Sequence, residues 1–148
     1  MKSLQPTYLK THWVFEKNRD AHDCTERITF LQGDLFEPIK PLDSSRFNWI
    51  VSNPPYIMSE ERDNLSPDVR EHEPTVALFA GQDGLSIIRR MIAEAPNYLH
   101  PEGKLIFEIG DKQAAPVKAL IEEQPAYQNY WFIKDYAGIE RVVLATVK

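Results

Sequence analysis

The stretch "THWVFEKNRDA" mixes aromatic and charged positions in a way that suits a helix over roughly Thr11 to Ala21. The branched and aromatic content of "RITFLQ", Arg27 to Gln32, predicts a strand that Gly33 and Asp34 bring to an end. A second strand is expected over "RFNWIVSN", Arg46 to Asn53. Its near-continuous apolar run is the pattern of a strand whose sheet is covered by helices on both faces. A long polar connection follows from Met58 to about Asp83, with prolines at 66 and 74. Such a length within a domain marks a lid, a binding loop or a solvated insertion. Apolar residues return at helical spacing at Leu85, Ile88, Ile92 and Leu99, and "PEGKLIFEIG" then supplies a turn and a strand from Lys104 to Ile109. Pro116 fits the first turn of a helix from Ala114 to Glu123. "NYWFIKDY", Asn129 to Tyr136, and "ERVVLATVK", Glu140 to Lys148, are separated only by Ala137-Gly138-Ile139, the spacing of an antiparallel hairpin. Strand and helix alternate until this reversal, so the pattern predicts an α/β fold with a mixed sheet. Trp49, Phe107 and Phe132 are its expected core aromatics.

Composition narrows the picture modestly. With 148 residues, 43% of them hydrophobic, the chain is long enough for one ordinary domain with a core. A formal charge of −5 provides no broad field for phosphates and weighs against a nucleic-acid partner. Cys24 is the only cysteine, which suits a reducing compartment such as the cytoplasm. No apolar run is long enough to span a bilayer, and "MKSLQPTYLKTHW" lacks the apolar core of a signal peptide. Histidines 12, 22, 72 and 100 lack metal-ligand spacing, so no metal is assigned. Arg141 reads as half of a structural ion pair.

The chemistry concentrates in "VSNPPYI", Val51 to Ile57. Pro54 and Pro55 have fixed φ and no N–H, and Pro54 pushes Asn53 towards an extended conformation. The result is a rigid bracket at a strand end, where open α/β sheets bind ligands. An amide or aromatic amine nitrogen is a poor nucleophile because its lone pair is delocalised. A site that alkylates one must hold it in line and accept hydrogen bonds from its N–H protons. The Asn53 side-chain oxygen and the Pro54 carbonyl are two such acceptors, and Tyr56 offers a face for stacking a planar group. Asn-Pro is also an ordinary turn dipeptide.

An apolar strand running into Asn-Pro-Pro-Tyr is similar to the signature of amino-group methyltransferases that use S-adenosylmethionine. The flanking segments "RITFLQGDLFEP", "EHEPTVALFAGQDGLSIIRRMIAEAPNYL", "GKLIFEIGDKQ" and "DYAGIERVV" sharpen the match. From about Asn18 onward the chain resembles the release-factor glutamine N5-methyltransferases of the HemK/PrmC type. The resemblance implies a Rossmann-like methyltransferase fold and S-adenosylmethionine as cofactor. It further implies a target glutamine in a Gly-Gly-Gln motif of a peptide-chain release factor. Carried over, Asn53 and the Pro54 carbonyl would hold the glutamine amide, with Tyr56 packed against it and Pro55 completing the bracket. Asp34 and Leu35, with Asn53, would lie on the cofactor side, and Glu73 and Pro74 in a loop over the substrate. Asp34 also reads as a turn residue after Gly33, and Glu108 as either internally paired or emerging near the ligand crevice.

Every glycine lies at or after Gly33, so the Gly-rich turn that lets a backbone approach a nucleotide-like ligand is missing. The acidic residue expected near Thr7 for the ribose is missing too, and residues 1–17 are atypical. The family's N-terminal helical domain has no counterpart. The chain is therefore expected to be a single partial methyltransferase domain, its fold incomplete, in which "RITFLQ" loses its neighbours in the sheet. Two rivals stay open. One is an adenine or guanine amino-methyltransferase acting on an unstacked base. The other is a non-enzymatic fragment that binds no cofactor.

Overall fold

Four apolar segments alternate and pair into one mixed sheet: β1 Phe47–Ser52, β2 Leu99–Glu108, β3 Tyr127–Lys134 and β4 Glu140–Val147, in the order β1-β2-β4-β3. The computed structural model describes residues 6–40, 46–58 and 78–148. They belong to two compact units, Met1–Pro38 and Ile39–Lys148.

The first unit holds helix α1, Pro6–Ala21. Trp13, Val14 and Phe15 follow one another and are all exposed, so this helix shows no single apolar stripe. Phe15 stacks on Phe30 at 6.0 Å between ring centroids, and the Arg19 guanidinium sits 5.5 Å from the Phe30 ring. The strand expected over Arg27 to Gln32 does not form. The Arg27 and Ile28 amides instead turn back onto the Cys24 carbonyl at 2.9 and 3.1 Å. A strand needs its backbone groups free for a neighbouring strand, and these two amides are taken up by the turn.

In the second unit β1 and β2 are parallel, whereas β4 runs antiparallel to both β2 and β3. The chain crosses from β1 to β2 through helix α2, Ser86–Glu94, and from β2 to β3 through helix α3, Ala114–Glu122. Leu99 opens β2 instead of extending the helix, because a 3-10 turn at Ala95–Asn97, with Pro96 inside it, ends the helical run. The hairpin forms as expected, but β4 rather than β3 is interior. Asp135 shapes its turn. The Asp135 Oδ1 accepts from the Ala137 and Ile139 amides at 2.8 and 3.0 Å, and Arg141 pairs with the other oxygen at 3.5 Å. The Ile139 amide above all, with the Ala137 amide and Arg141, holds this carboxyl below the ordinary aspartate range.

Register separates the two faces of the sheet. Leu105 lies opposite Ala145 and Phe107 opposite Val143. All four are buried, with Ile88, Met91 and Ile92 of α2 and Val117 and Ile121 of α3 also in the core. Tyr127, opposite Val147, belongs to the same layer and donates its hydroxyl to the Ile92 carbonyl at 3.0 Å. The other face carries the row Val51, Ile106, Leu144 and Trp131. Val51 is 73% exposed, and Trp49 and Trp131 are each 53% exposed. Among the described residues, helices therefore cover one face of β1, not the two that its apolar run suggests. Trp49 lies outside the core, with the Lys104 ammonium 5.1 Å from its ring, while Phe107 is buried and Phe132 half-buried.

Truncating Leu105, which has no exposed surface, to alanine is expected to lower unfolding free energy by about 2–5 kcal/mol. Val51→Thr on the bare face should change it by no more than about 0.5 kcal/mol. Urea denaturation of both variants checks the asymmetry.

Candidate functional site

Pro54 and Pro55 cannot donate to a ladder, so β1 stops at Ser52 and the bracket begins at its C-terminal end. Asn53 is exposed, Pro54 is buried, and Pro55 and Tyr56 are half-buried. The Asn53 side chain makes no hydrogen bond among the described residues.

The bracket is tied down on its far side. The Tyr56 hydroxyl donates to Glu108 Oε1 at 3.0 Å, which shows Glu108 emerging at the end of β2 beside the bracket. The Tyr56 carbonyl accepts from Gln113 Nε2 at 3.1 Å. Ile57 then forms a parallel bridge with Phe79, its amide donating to the Leu78 carbonyl and its carbonyl accepting from the Ala80 amide, both at 3.0 Å. Residues 57 and 79 are thus side by side.

Gln113 is the residue that sequence reasoning missed. It is buried, and its single carboxamide joins three segments: Nε2 also donates to the Gly84 carbonyl at 3.2 Å, and Oε1 accepts from the Gly110 amide at 2.8 Å. Gly84 has φ +69°, and a Cβ there would lie 2.5 Å from the Tyr56 carbonyl oxygen and 2.8 Å from Gln113 Nε2. Only glycine permits that approach. The sequence signal was Gly84 in "GQDGL" and Gly110 in "IGDKQ". Nothing local distinguished Gln113 from an ordinary polar residue at the head of a helix.

Tyr56, Met58, Leu85, Gly110, Gln113 and Pro116 line an open cleft of about 320 Å³ beside the bracket. At its rim, Asp83 Oδ1 accepts from the Leu85 amide at 3.0 Å and Oδ2 from Arg89 at 2.8 Å. Arg89 foremost, with that amide, holds the Asp83 carboxyl low. Burial, and then the hydrogen bond to Glu108, push the Tyr56 phenol up.

Of the residues expected at the site, Asn53, Pro54, Pro55 and Tyr56 lie together in the second unit. Asp34, exposed, and Leu35, half-buried with φ +45°, belong to the first. Glu73 and Pro74, and most of the expected Met58 to Asp83 connection, lie outside the described residues. Among the described residues no cluster of His, Cys, Asp or Glu could hold a metal ion, and no helix is long and apolar enough to cross a membrane.

Replacing Gln113 by alanine leaves the Gly110 amide and the Tyr56 and Gly84 carbonyls without this partner, an expected loss of about 2–4 kcal/mol measurable by chemical denaturation. A pH dependence follows from three tyrosines whose folded values are raised: Tyr56, Tyr127 by burial alone, and Tyr130 chiefly by its hydrogen bond to Glu122. Their contribution is fully present below the unfolded value of about 10 and is lost as pH rises through the folded values. Stability measured across alkaline pH should therefore fall, and should fall less steeply in Tyr127→Phe.

No protein-family model matches the chain. A release factor glutamine methyltransferase of Geobacter sulfurreducens is 41% identical over 128 residues, covering 86% of this chain and 43% of that protein. One from Thermosynechococcus vestitus is 38% identical over 132 residues, covering 89% and 45%. Among solved structures, a methyltransferase from Pyrococcus furiosus matches with a TM-score of 0.59 over 88% of this chain and 54% of its own, at 17% identity, a likeness of fold. The chain spans a little under half the length of these curated relatives. With its α/β sheet and the Asn-Pro-Pro-Tyr bracket that follows β1, the chain is similar in sequence to the release factor glutamine methyltransferases over one part of their length.

Proposed function

We propose that the chain holds the acceptor in the methylation of a glutamine side-chain amide of a peptide-chain release factor. The observation that carries this reading is an exposed, uncommitted Asn53 amide on a frame fixed one residue later by buried Pro54 and then by Tyr56. In this reading the Asn53 side-chain oxygen and the Pro54 carbonyl accept from the N–H protons of the glutamine amide, and the Tyr56 ring packs against its plane. Held so, the nitrogen is oriented before it reacts, and charge that develops on it is stabilised by acceptors that need no reorganisation. The Tyr56 hydroxyl is already committed to Glu108, so Tyr56 contributes its ring. Pro55 completes the frame, and Glu73 and Pro74 would lie over the bound peptide.

S-adenosylmethionine is the cofactor this reading calls for, with Asp34, Leu35 and Asn53 as the positions assigned to it. The described residues of neither unit fit a complete site for it. The first unit contributes one exposed carboxylate and its apolar neighbour. In the second, the glycine backbones nearest the bracket, Gly84 and Gly110, are packed against Tyr56 and Gln113, leaving no open backbone cradle there. The proposed role of this chain is accordingly confined to the acceptor amide. Cytoplasmic placement belongs to the same reading, since release factors act in translation.

Calorimetric titration of the chain with a synthetic peptide containing Gly-Gly-Gln should show binding that Asn53→Ala weakens roughly tenfold, the loss of one or two hydrogen bonds. Equal affinity in the variant would overturn the assignment of Asn53. Titration of the chain alone with S-adenosylmethionine is expected to give no heat at micromolar concentrations, and saturable binding would refute the absence of a cradle.

A further inference from the structure

The polar side chains around the cleft are mostly committed already. Gln113 is bonded to three backbone groups, the Tyr56 hydroxyl goes to Glu108, and Asp83 is shared between the Leu85 amide and Arg89. Two neighbours differ. Asp111 and Lys112 line the same cleft, are exposed, and make no hydrogen bond or ion pair among the described residues.

Lys112 is the more informative of the pair. Its φ of +66° is the left-handed conformation that glycine adopts most readily. The turn imposes it. The Gln113 amide donates to the Gly110 carbonyl at 3.3 Å while Gln113 Oε1 accepts from the Gly110 amide at 2.8 Å, so the chain reverses over residues 111 and 112. Glycine at 112 would make this turn without strain. Among the described residues of the second unit one other non-glycine residue is left-handed, Glu102, and its carboxylate is used, accepting from Gln128 Nε2 at 2.7 Å. The Lys112 side chain has no such use within the fold, and strained residues of this kind gather at functional sites.

The chemistry of the pair says what would use it. A carboxylate only accepts hydrogen bonds and an ammonium only donates them. A polypeptide main chain entering the cleft presents N–H and C=O groups in alternation, and each costs free energy if it loses water without gaining a partner. Met58, Leu85 and Pro116 offer apolar surface, and Tyr56 and Gln113 are committed. Asp111 for an N–H and Lys112 for a C=O therefore supply both roles that an extended segment needs. A glycine-rich segment depends on such contacts most, because it has no side chains to be recognised. The turn also lies against the bracket: a Cβ on Gly110 would be 3.1 Å from Cδ2 of the Tyr56 ring.

We infer that the Asp111–Lys112 turn is a second binding element, which holds the main chain of the polypeptide beside the acceptor glutamine. The inference rests on the acceptor reading of the bracket and adds to it a contact outside the amide.

Two ligands separate the roles. One is a glutamine capped at both ends, which offers the bracket its amide and little else. The other is a longer peptide with Gly-Gly-Gln at its centre. NMR titration of each into the chain is expected to show that Lys112→Gly weakens the longer peptide roughly fivefold to tenfold, the loss of one hydrogen bond to a charged group, and leaves the capped glutamine unchanged. Lys112→Arg should retain the affinity, and Asp111→Ala should behave as Lys112→Gly does. The urea midpoint of Lys112→Gly should equal or exceed that of the unaltered chain, since glycine relieves the left-handed strain. Undiminished affinity of Lys112→Gly for the longer peptide would overturn the inference. So would a lowered midpoint, which makes the lysine a structural residue, or an equal loss on both ligands, which places its effect in the bracket. Asn53→Ala tests the acceptor reading separately and should weaken both ligands. If it weakens neither while Lys112→Gly still acts on the longer peptide, the role of Asn53 fails and that of the turn stands. An unaltered chain that binds neither ligand overturns both.

Discussion

The carboxamide of Gln113 is the interaction on which the site depends. Three backbone groups from three separate segments converge on it: the Gly110 amide after β2, the Gly84 carbonyl before α2 and the Tyr56 carbonyl of the bracket. Each would otherwise be a polar group without a partner in a largely buried place, which costs more than the hydrogen bond itself contributes. A carboxamide suits this task because it carries both a donor and an acceptor. A glutamate in its ionised form would lack the donor for two carbonyls, and an apolar residue would satisfy none of the three. The left-handed backbone at Gly84 is part of the same arrangement, since a side chain there would occupy the space of the Tyr56 carbonyl.

Around this knot the bracket is fixed unevenly, which separates what is rigid from what is available. Tyr56 is held through its hydroxyl by Glu108, through its carbonyl by Gln113, and through the following residue by the bridge to Phe79. Asn53, three residues earlier, has its backbone direction set by Pro54 but keeps an exposed and uncommitted side chain. In the proposed reading a group that orients an acceptor amide has to be positioned without being used, as Asn53 would be beside a committed Tyr56. The adjoining cleft is lined by Tyr56 and Gln113, the same residues that hold the bracket.

The sheet has the same unevenness on a larger scale. Leu105, Phe107, Val143 and Ala145 are packed beneath helices, while Val51, Trp49 and Trp131 on the reverse face meet solvent. Among the described residues helices cover one side of this mixed sheet, which leaves the apolar side chains of the other side in solvent. The sequence of β1 retains the apolar residues of a strand buried on both faces, and the mismatch between that sequence and its surroundings is what exposes the patch.

Much of this protein is written locally. The two prolines end β1 whatever surrounds them, the short Ala137-Gly138-Ile139 connection dictates the hairpin, and the spacing of Ile88 and Ile92 makes α2 amphipathic. Asn53 to Tyr56 could be picked out as a site because their rigidity comes from covalent geometry. The rest depended on partners far away in sequence. "RITFLQ" has the residues of a strand, yet its first two amides turn back on Cys24. Trp49 has the character of a core aromatic but lies on the uncovered face. Gln113 is unremarkable in its own segment and becomes central only because Gly84 and Tyr56, 29 and 57 residues away, arrive beside it. The sequence by itself determined where the chain stiffens, turns and alternates, since those properties are carried by single residues and their immediate neighbours. Only the tertiary structure decided which strands found partners, which face was covered and which side chain joined the segments, because hydrogen bonding and burial are properties of pairs brought together by folding.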